Sequence, residues 1–229
     1  MSPELIIEQL KRDGKRFWAG DNIADYVTPA RKSLMITKLT EKFEEVLDIL
    51  CIDRENDPNS KDTPHRLAKM YVNELMAGRY DQPPKVTAFP NDDADTRYGG
   101  MIVTRAEITS MCSHHHQPVK GVCYIGLLAG VKVIGLSKYT RIAQWCARRG
   151  TLQEELTMMI ADELVKHTGT KDLAVYIQAT HGCMDHRGVQ SHSSLTQTTE
   201  LRGQFFNPSV KDEFLDYIKM QQVFAGTRT

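Results

Sequence analysis

The chain has 229 residues, 41% apolar and 25% charged, enough for one large globular domain or a compact domain with a helical extension. Lys plus Arg and Asp plus Glu stand at 29 each, so no net field favours nucleic acid or an anionic membrane, and a polyanionic substrate would need a local basic pocket. No run approaches the ~18 apolar residues of a membrane span, and Met1 to Lys11 does not read as a signal peptide, which points to a reducing cytoplasm.

Ser2-Pro3 reads as a helix cap followed by proline at the first helical position, opening a short helix with Leu5, Ile6 and Leu10. A second helix is expected from near Thr40, with Phe43, Val46, Leu47 and Leu50 at helical spacing. Thr63-Pro64 repeats the cap signal, and Leu67, Met70, Tyr71 and Leu75 carry one stripe to a stop at Gly78. Residues 1–80 are therefore expected to be a helical region, and 81–100, rich in Pro, Asn, Asp and Gly, a loop or linker. Residues 101–229 should form a second, mixed region. Strands are expected over Met101 to Ile108, Val119 to Leu128, Leu173 to Ala179 and Leu195 to Leu201, the last rich in threonine. Helices should begin at Ser137, through Ile142, Trp145 and Cys146, and at Thr151, with Leu156, Ile160 and Leu164 on one face. A last helix should cover Val210 to Ile218. That order predicts an α+β fold, an antiparallel sheet with helices on one face.

Cys51, Cys123 and Cys146 lie inside apolar patterns and are expected to be buried fillers. Cys112-Ser113-His114-His115-His116 differs, because thiolate and imidazole are the usual ligands of zinc. A Cys and a His three positions apart can face one ion where the chain turns, and His181-Gly182-Cys183 would supply a third donor. Three protein ligands with one open position is the catalytic form of a zinc site. Three successive histidines can equally be a solvated loop. The spacing is not that of paired C-x-x-C fingers, and the H-x-E with P-C-x-x-C of the zinc nucleobase deaminases is missing. Ser137 and Lys138 stand where a helix should start, a place that attracts phosphate.

Cys112-Ser113-His114-His115 and His181-Gly182-Cys183 together resemble the C-E-H-H and H-x-C segments of GTP cyclohydrolase I. Thr63-Pro64-His65-Arg66, Ile134-Gly135-Leu136-Ser137-Lys138, Leu152-Gln153-Glu154 and Arg187-Gly188-Val189 agree with the same family, from about Thr40 to about Tyr217. The resemblance implies a catalytic domain of the tunnelling fold over residues 101–229, a homodecamer with active sites at subunit interfaces and residues 1–80 in the subunit contacts, and conversion of GTP to 7,8-dihydroneopterin triphosphate and formate. It implies Zn2+ held by Cys112, His115 and Cys183, with His114 and His181 transferring protons. Glu154, with Gln153, would recognise guanine. Ser137, Lys138, Arg141, Arg187 and Arg66 would hold the triphosphate, Arg66 at a neighbouring subunit's site.

Three residues depart from the family pattern. Ser113 stands where the family has Glu, a change that could favour a deoxynucleotide. His116 replaces an apolar residue and is expected to point away from the metal through strand alternation. Gly182 is smaller than its counterparts and is expected to loosen the loop between His181 and Cys183. The same fold also serves a nitrile reductase of 7-deazaguanines with a cysteine nucleophile, and a non-catalytic purine-binding relative is the other alternative.

Overall fold

Residues 3–226 are described by the computed structural model, and Ser2 lies outside them. The chain divides into two units, one of residues up to Gln82 with Arg148–Gly150, the other of Pro83–Ala147 with Thr151 onward.

The first unit contains α1 (Pro3–Arg12), α2 (Pro29–Ile49), α3 (Thr63–Met70) and α4 (Ala77–Tyr80). Helix α2 begins well before Thr40 because the Thr28 side chain accepts the N–H of Arg31 at 3.3 Å, with Pro29 in the first turn. At α3 the same letters act differently: Thr63 is already helical, and Asp62 before it makes no side-chain cap bond. The stripe expected to run to Gly78 is broken by one wide turn, Tyr71–Leu75, and Gly78 lies inside α4. Ile6, Leu10 and Ile23 form a small buried cluster. Beside it the buried Arg79 guanidinium donates to the carbonyls of Phe17 (2.8 Å), Ala19 (3.0 Å) and Asp21 (2.8 Å), tying down that loop.

The second unit contains β1 (Ala88–Pro90), β2 (Met101–Met111), β3 (Pro118–Leu128), β4 (Lys132–Ile134), α5 (Leu136–Ala147), α6 (Gln153–Thr168), β5 (Leu173–His181), α7 (Gly182–Asp185), β6 (Thr196–Leu201) and α8 (Pro208–Gly226). Strands β2, β3, β5 and β6 form an antiparallel sheet in that order. The stretch expected to be an unstructured loop holds β1, which pairs with β4, Phe89 opposite Val133. Three residues each are too few to show an alternation.

Side chains alternate across the sheet. Ala106, Ile108, Cys123, Ile125, Val175 and Ile177 face α5 and α6, whose buried stripes include Tyr139, Ile142 and Cys146, and Leu156, Ile160 and Leu164. Each such aliphatic side chain contributes about 1.5–3 kcal/mol on leaving water. Helix α6 stops at Gly169, left-handed at φ 73°. On the opposite face Tyr124 and Ala174 meet Phe205, Phe214 and Ile218, so α8 covers part of that side. The rings of Phe205 and Phe214 meet edge to face at 5.7 Å, and a Cβ on Gly126 would come within 2.5 Å of Phe214. Glycine is what lets this aromatic pair reach the sheet. Among the described residues no helix is long and apolar enough to cross a membrane.

Cys123 and Cys146 are buried as expected. Cys51 is not: it is exposed in the turn after α2, with φ 56°.

Candidate active site

Strands β2 and β3 form a hairpin whose last ladder pair is Met111 with Pro118. The connecting turn is closed by two backbone bonds, Cys112 N–H to Gln117 O and His116 N–H to Cys112 O, both 2.9 Å. His116 is left-handed, φ 52°, so it sits in the turn and not on a strand; alternation does not set its direction. Cys112 is buried, Ser113 half-buried, and His114 and His115 are exposed with their rings edge-on at 6.2 Å.

Strand β5 brings the second motif alongside, pairing His181 with Val119 at the base of the hairpin. The chain then enters α7, and Gly182 presses against Pro118: a Cβ there would lie 3.1 Å from its Cδ and 3.2 Å from its carbonyl oxygen. Glycine at 182 therefore tightens this junction and does not loosen it. The result packs Cys183 against the buried cluster that contains Cys112, with the two thiols near enough to influence one another. Burial, then the nearby Cys112 thiol, push the Cys183 thiol above its ordinary pKa, while the Arg187 charge pulls it down.

His181 is half-buried, and its Nε2 lies 2.7 Å from Gln153 Oε1. The Gln153 amide is oriented by its other end, whose Nε2 donates to Thr198 Oγ1 (3.1 Å), Thr196 O (3.2 Å) and Ile177 O (3.4 Å). Carbonyl acceptors require the amide NH2 there, so Oε1 faces the imidazole and His181 Nε2 carries the hydrogen. In the neutral ring Nδ1 is then the basic nitrogen. Burial lowers the His181 pKa, partly opposed by the Glu154 carboxylate, and so favours that neutral ring. Gln153, expected in the purine pocket, is 4% exposed with both ends of its amide engaged inside the protein, one of them on His181. Thr198, which also meets Thr157 Oγ1 at 2.7 Å, belongs to this network and escapes sequence reading. The only signal was the alternation of threonines in β6.

Glu154 follows Gln153 in the first turn of α6 and is exposed. Ser137, Lys138 and Arg141 share the beginning of α5, with Ser137 and Arg141 one turn apart and exposed. Lys138 Nζ donates to Lys85 O at 2.8 Å, which leaves two ammonium hydrogens for an anion. Arg187 is exposed in the loop after α7. Arg66 lies on α3 in the first unit, 3.6 Å from Asp62.

Among the described residues no three His, Cys, Asp or Glu side chains gather closely enough to hold a metal ion. The expected trio is represented by its two sulfurs. The turn closed at Cys112 and His116 leaves the His115 ring in solvent, so that donor is not drawn in. The donor chemistry still fits zinc: two neighbouring thiols, and an imidazole three residues along the same turn as Cys112.

A family model described as GTP cyclohydrolase I matches residues 39–219. Proteins named GTP cyclohydrolase 1 from Flavobacterium johnsoniae and Aeromonas salmonicida are each 40% identical, over 82% and 80% of this chain and 84% and 83% of theirs. One of that name from Vibrio cholerae is 36% identical over 93% of this chain and 95% of its own.

Proposed function

The chain belongs to the GTP cyclohydrolase I family, and from that membership we propose that it converts GTP and water to formate and 7,8-dihydroneopterin triphosphate, with zinc as its metal. Its antiparallel sheet and helices are those of the α+β tunnelling fold. The observation that carries the proposal is the convergence of two distant motifs, with Cys183 near Cys112 and beside them a His181 held by Gln153.

Cys112, His115 and Cys183 would hold the metal, whose Lewis acidity makes water a nucleophile near neutral pH. The guanine imidazole ring is aromatic, so attack at C8 also needs a proton delivered to N7. His181, with Nε2–H fixed and Nδ1 basic, is built to accept and return protons, and His114 on the adjoining turn is the second carrier. Glu154 would accept the guanine N1–H and 2-amino hydrogens, a paired contact that adenine cannot make. Ser137, Lys138, Arg141 and Arg187 would hold the triphosphate, the arginines through paired hydrogen bonds to its oxygens. Assembly as a homodecamer with sites between subunits, where Arg66 serves a neighbour's site, is part of the same proposal. Five free cysteines agree with a reducing compartment. Neither the family nor the named relatives support the nitrile-reductase alternative.

Incubation of the purified protein with GTP tests the reading. Formate and a pterin absorbance should appear, vanish on chelation and return with zinc. GTP binding without formate from zinc-loaded protein would make it a binder and not an enzyme.

A further inference from the structure

The loop after Cys183 leaves α7 at Asp185 and returns to it within a few residues. Ser191 N–H donates to Met184 O at 2.8 Å, and next to that bond His192 Nδ1 lies 2.9 Å from Asp185 Oδ1. The carboxylate only accepts, so Nδ1 donates. His186 Nδ1 lies 3.7 Å from the other carboxylate oxygen. Residues 186–190 are thus an excursion closed at its neck by one backbone and one side-chain bond. Two left-handed residues, Gly188 (φ 63°) and Gln190 (φ 51°), turn it, and Gln190 N–H bonds Arg187 O at 3.3 Å. Arg187 rides on this excursion, close enough for its charge to be felt at the Cys183 thiol.

We propose that Asp185 and His192 form a clasp that positions Arg187 for the substrate triphosphate. Neither residue touches the substrate; both act through the loop. The inference rests on the role given to Arg187 above. The neck shortens the range over which the excursion can swing, so the guanidinium meets the phosphates with less ordering to do on binding.

Steady-state kinetics with GTP on the zinc-loaded full chain test it. His192→Ala should raise KM about threefold to fivefold, the scale of one exposed charge-assisted bond, with kcat nearly unchanged. His192→Asn, whose side-chain N–H can stand in for Nδ1–H, should restore KM. Arg187→Ala should raise KM about tenfold or more, and adding His192→Ala to it should then raise KM no further. Hydrogen exchange gives a readout independent of activity: the Ser191 amide should exchange faster in His192→Ala than in the parent or His192→Asn. If Arg187→Ala leaves KM unchanged, the phosphate role falls and the clasp's purpose with it. If Arg187→Ala acts but His192→Ala does not, or if Asn fails to rescue, the clasp alone is overturned.

Discussion

Replacing Gln153 with Leu keeps the volume of a buried side chain and removes every polar contact its amide makes. His181 Nε2 loses its 2.7 Å acceptor, and Thr198 Oγ1 and Thr196 O lose a donor at 3.1 and 3.2 Å. At about 0.5–1.5 kcal/mol net for each neutral hydrogen bond, these three contacts amount to about 1.5–4.5 kcal/mol of stability. Urea unfolding reads that loss directly. For turnover the imidazole remains but is free to rotate and to change tautomer. A placed acid–base group contributes roughly 10²–10⁴, and a loosened one should forfeit part, about tenfold to a hundredfold in kcat. KM for GTP should move little, because Gln153 is buried with both ends of its amide engaged by the protein. Gln153→Glu separates the two ends of the amide: it keeps an acceptor for His181 and sets a carboxylate against the Thr196 carbonyl. It should therefore be the less stable variant and the more active one. Pterin absorbance at saturating GTP measures kcat. A folded Gln153→Leu enzyme with parental kcat would refute the idea that this amide sets the working nitrogen of His181.

Glu154→Gln should leave stability unchanged, since the side chain is exposed, and lower kcat/KM for GTP about a hundredfold or more by losing the paired acceptor. An equal loss with every purine nucleotide would deny it a recognition role. Ser113→Glu should change turnover of GTP relative to dGTP, and an unaltered ratio removes Ser113 as a determinant of sugar preference. Native protein treated with a maleimide should label rapidly at Cys51, which is exposed, and not at Cys123, where complete burial raises the thiol pKa far above its ordinary value. Rapid modification mapped to the Cys123 peptide of the folded protein would contradict this. Gly126→Val should cost about 1–3 kcal/mol by overpacking the Phe205–Phe214 pair, read as a lowered urea midpoint, and an unshifted midpoint would show that α8 yields freely.

The long elements were legible because their periods are strong. Helix α6 carries Leu156, Ile160 and Leu164 at helical spacing, and β3 and β5 carry β-branched runs that burial on one face requires. Boundaries were less so, since they rest on caps that the same dipeptide can serve or not: Thr28 caps α2, whereas Thr63 is already inside α3. The β1–β4 ribbon escaped because pairing, and not pattern, makes it. Cys51 misled because an apolar neighbourhood in sequence ends at a helix terminus that faces solvent. Within the site, the nearness of Cys183 to Cys112 follows from β3, which pairs with β2 on one side and with β5 on the other. The position of His115 could not be anticipated, because it depends on how a turn of a few residues closes.

The network around Gln153 explains why the site stands at this end of the sheet. Along most of β5 the face toward α6 is closed by aliphatic side chains, Leu173, Val175 and Ile177. At the end nearest His181 the partners become Gln153, Thr157 and Thr198, joined by bonds of 2.7 to 3.1 Å. Apolar packing there would bury as much surface without leaving buried polar groups to satisfy, so hydrophobic burial does not account for the choice. Hydrogen bonds have direction, which van der Waals contact lacks, and direction is what a proton-transferring ring needs. The helix and sheet are thus packed by shape along most of β5, and by oriented bonds where His181, in the proton-transferring role proposed for it, would have to present one nitrogen.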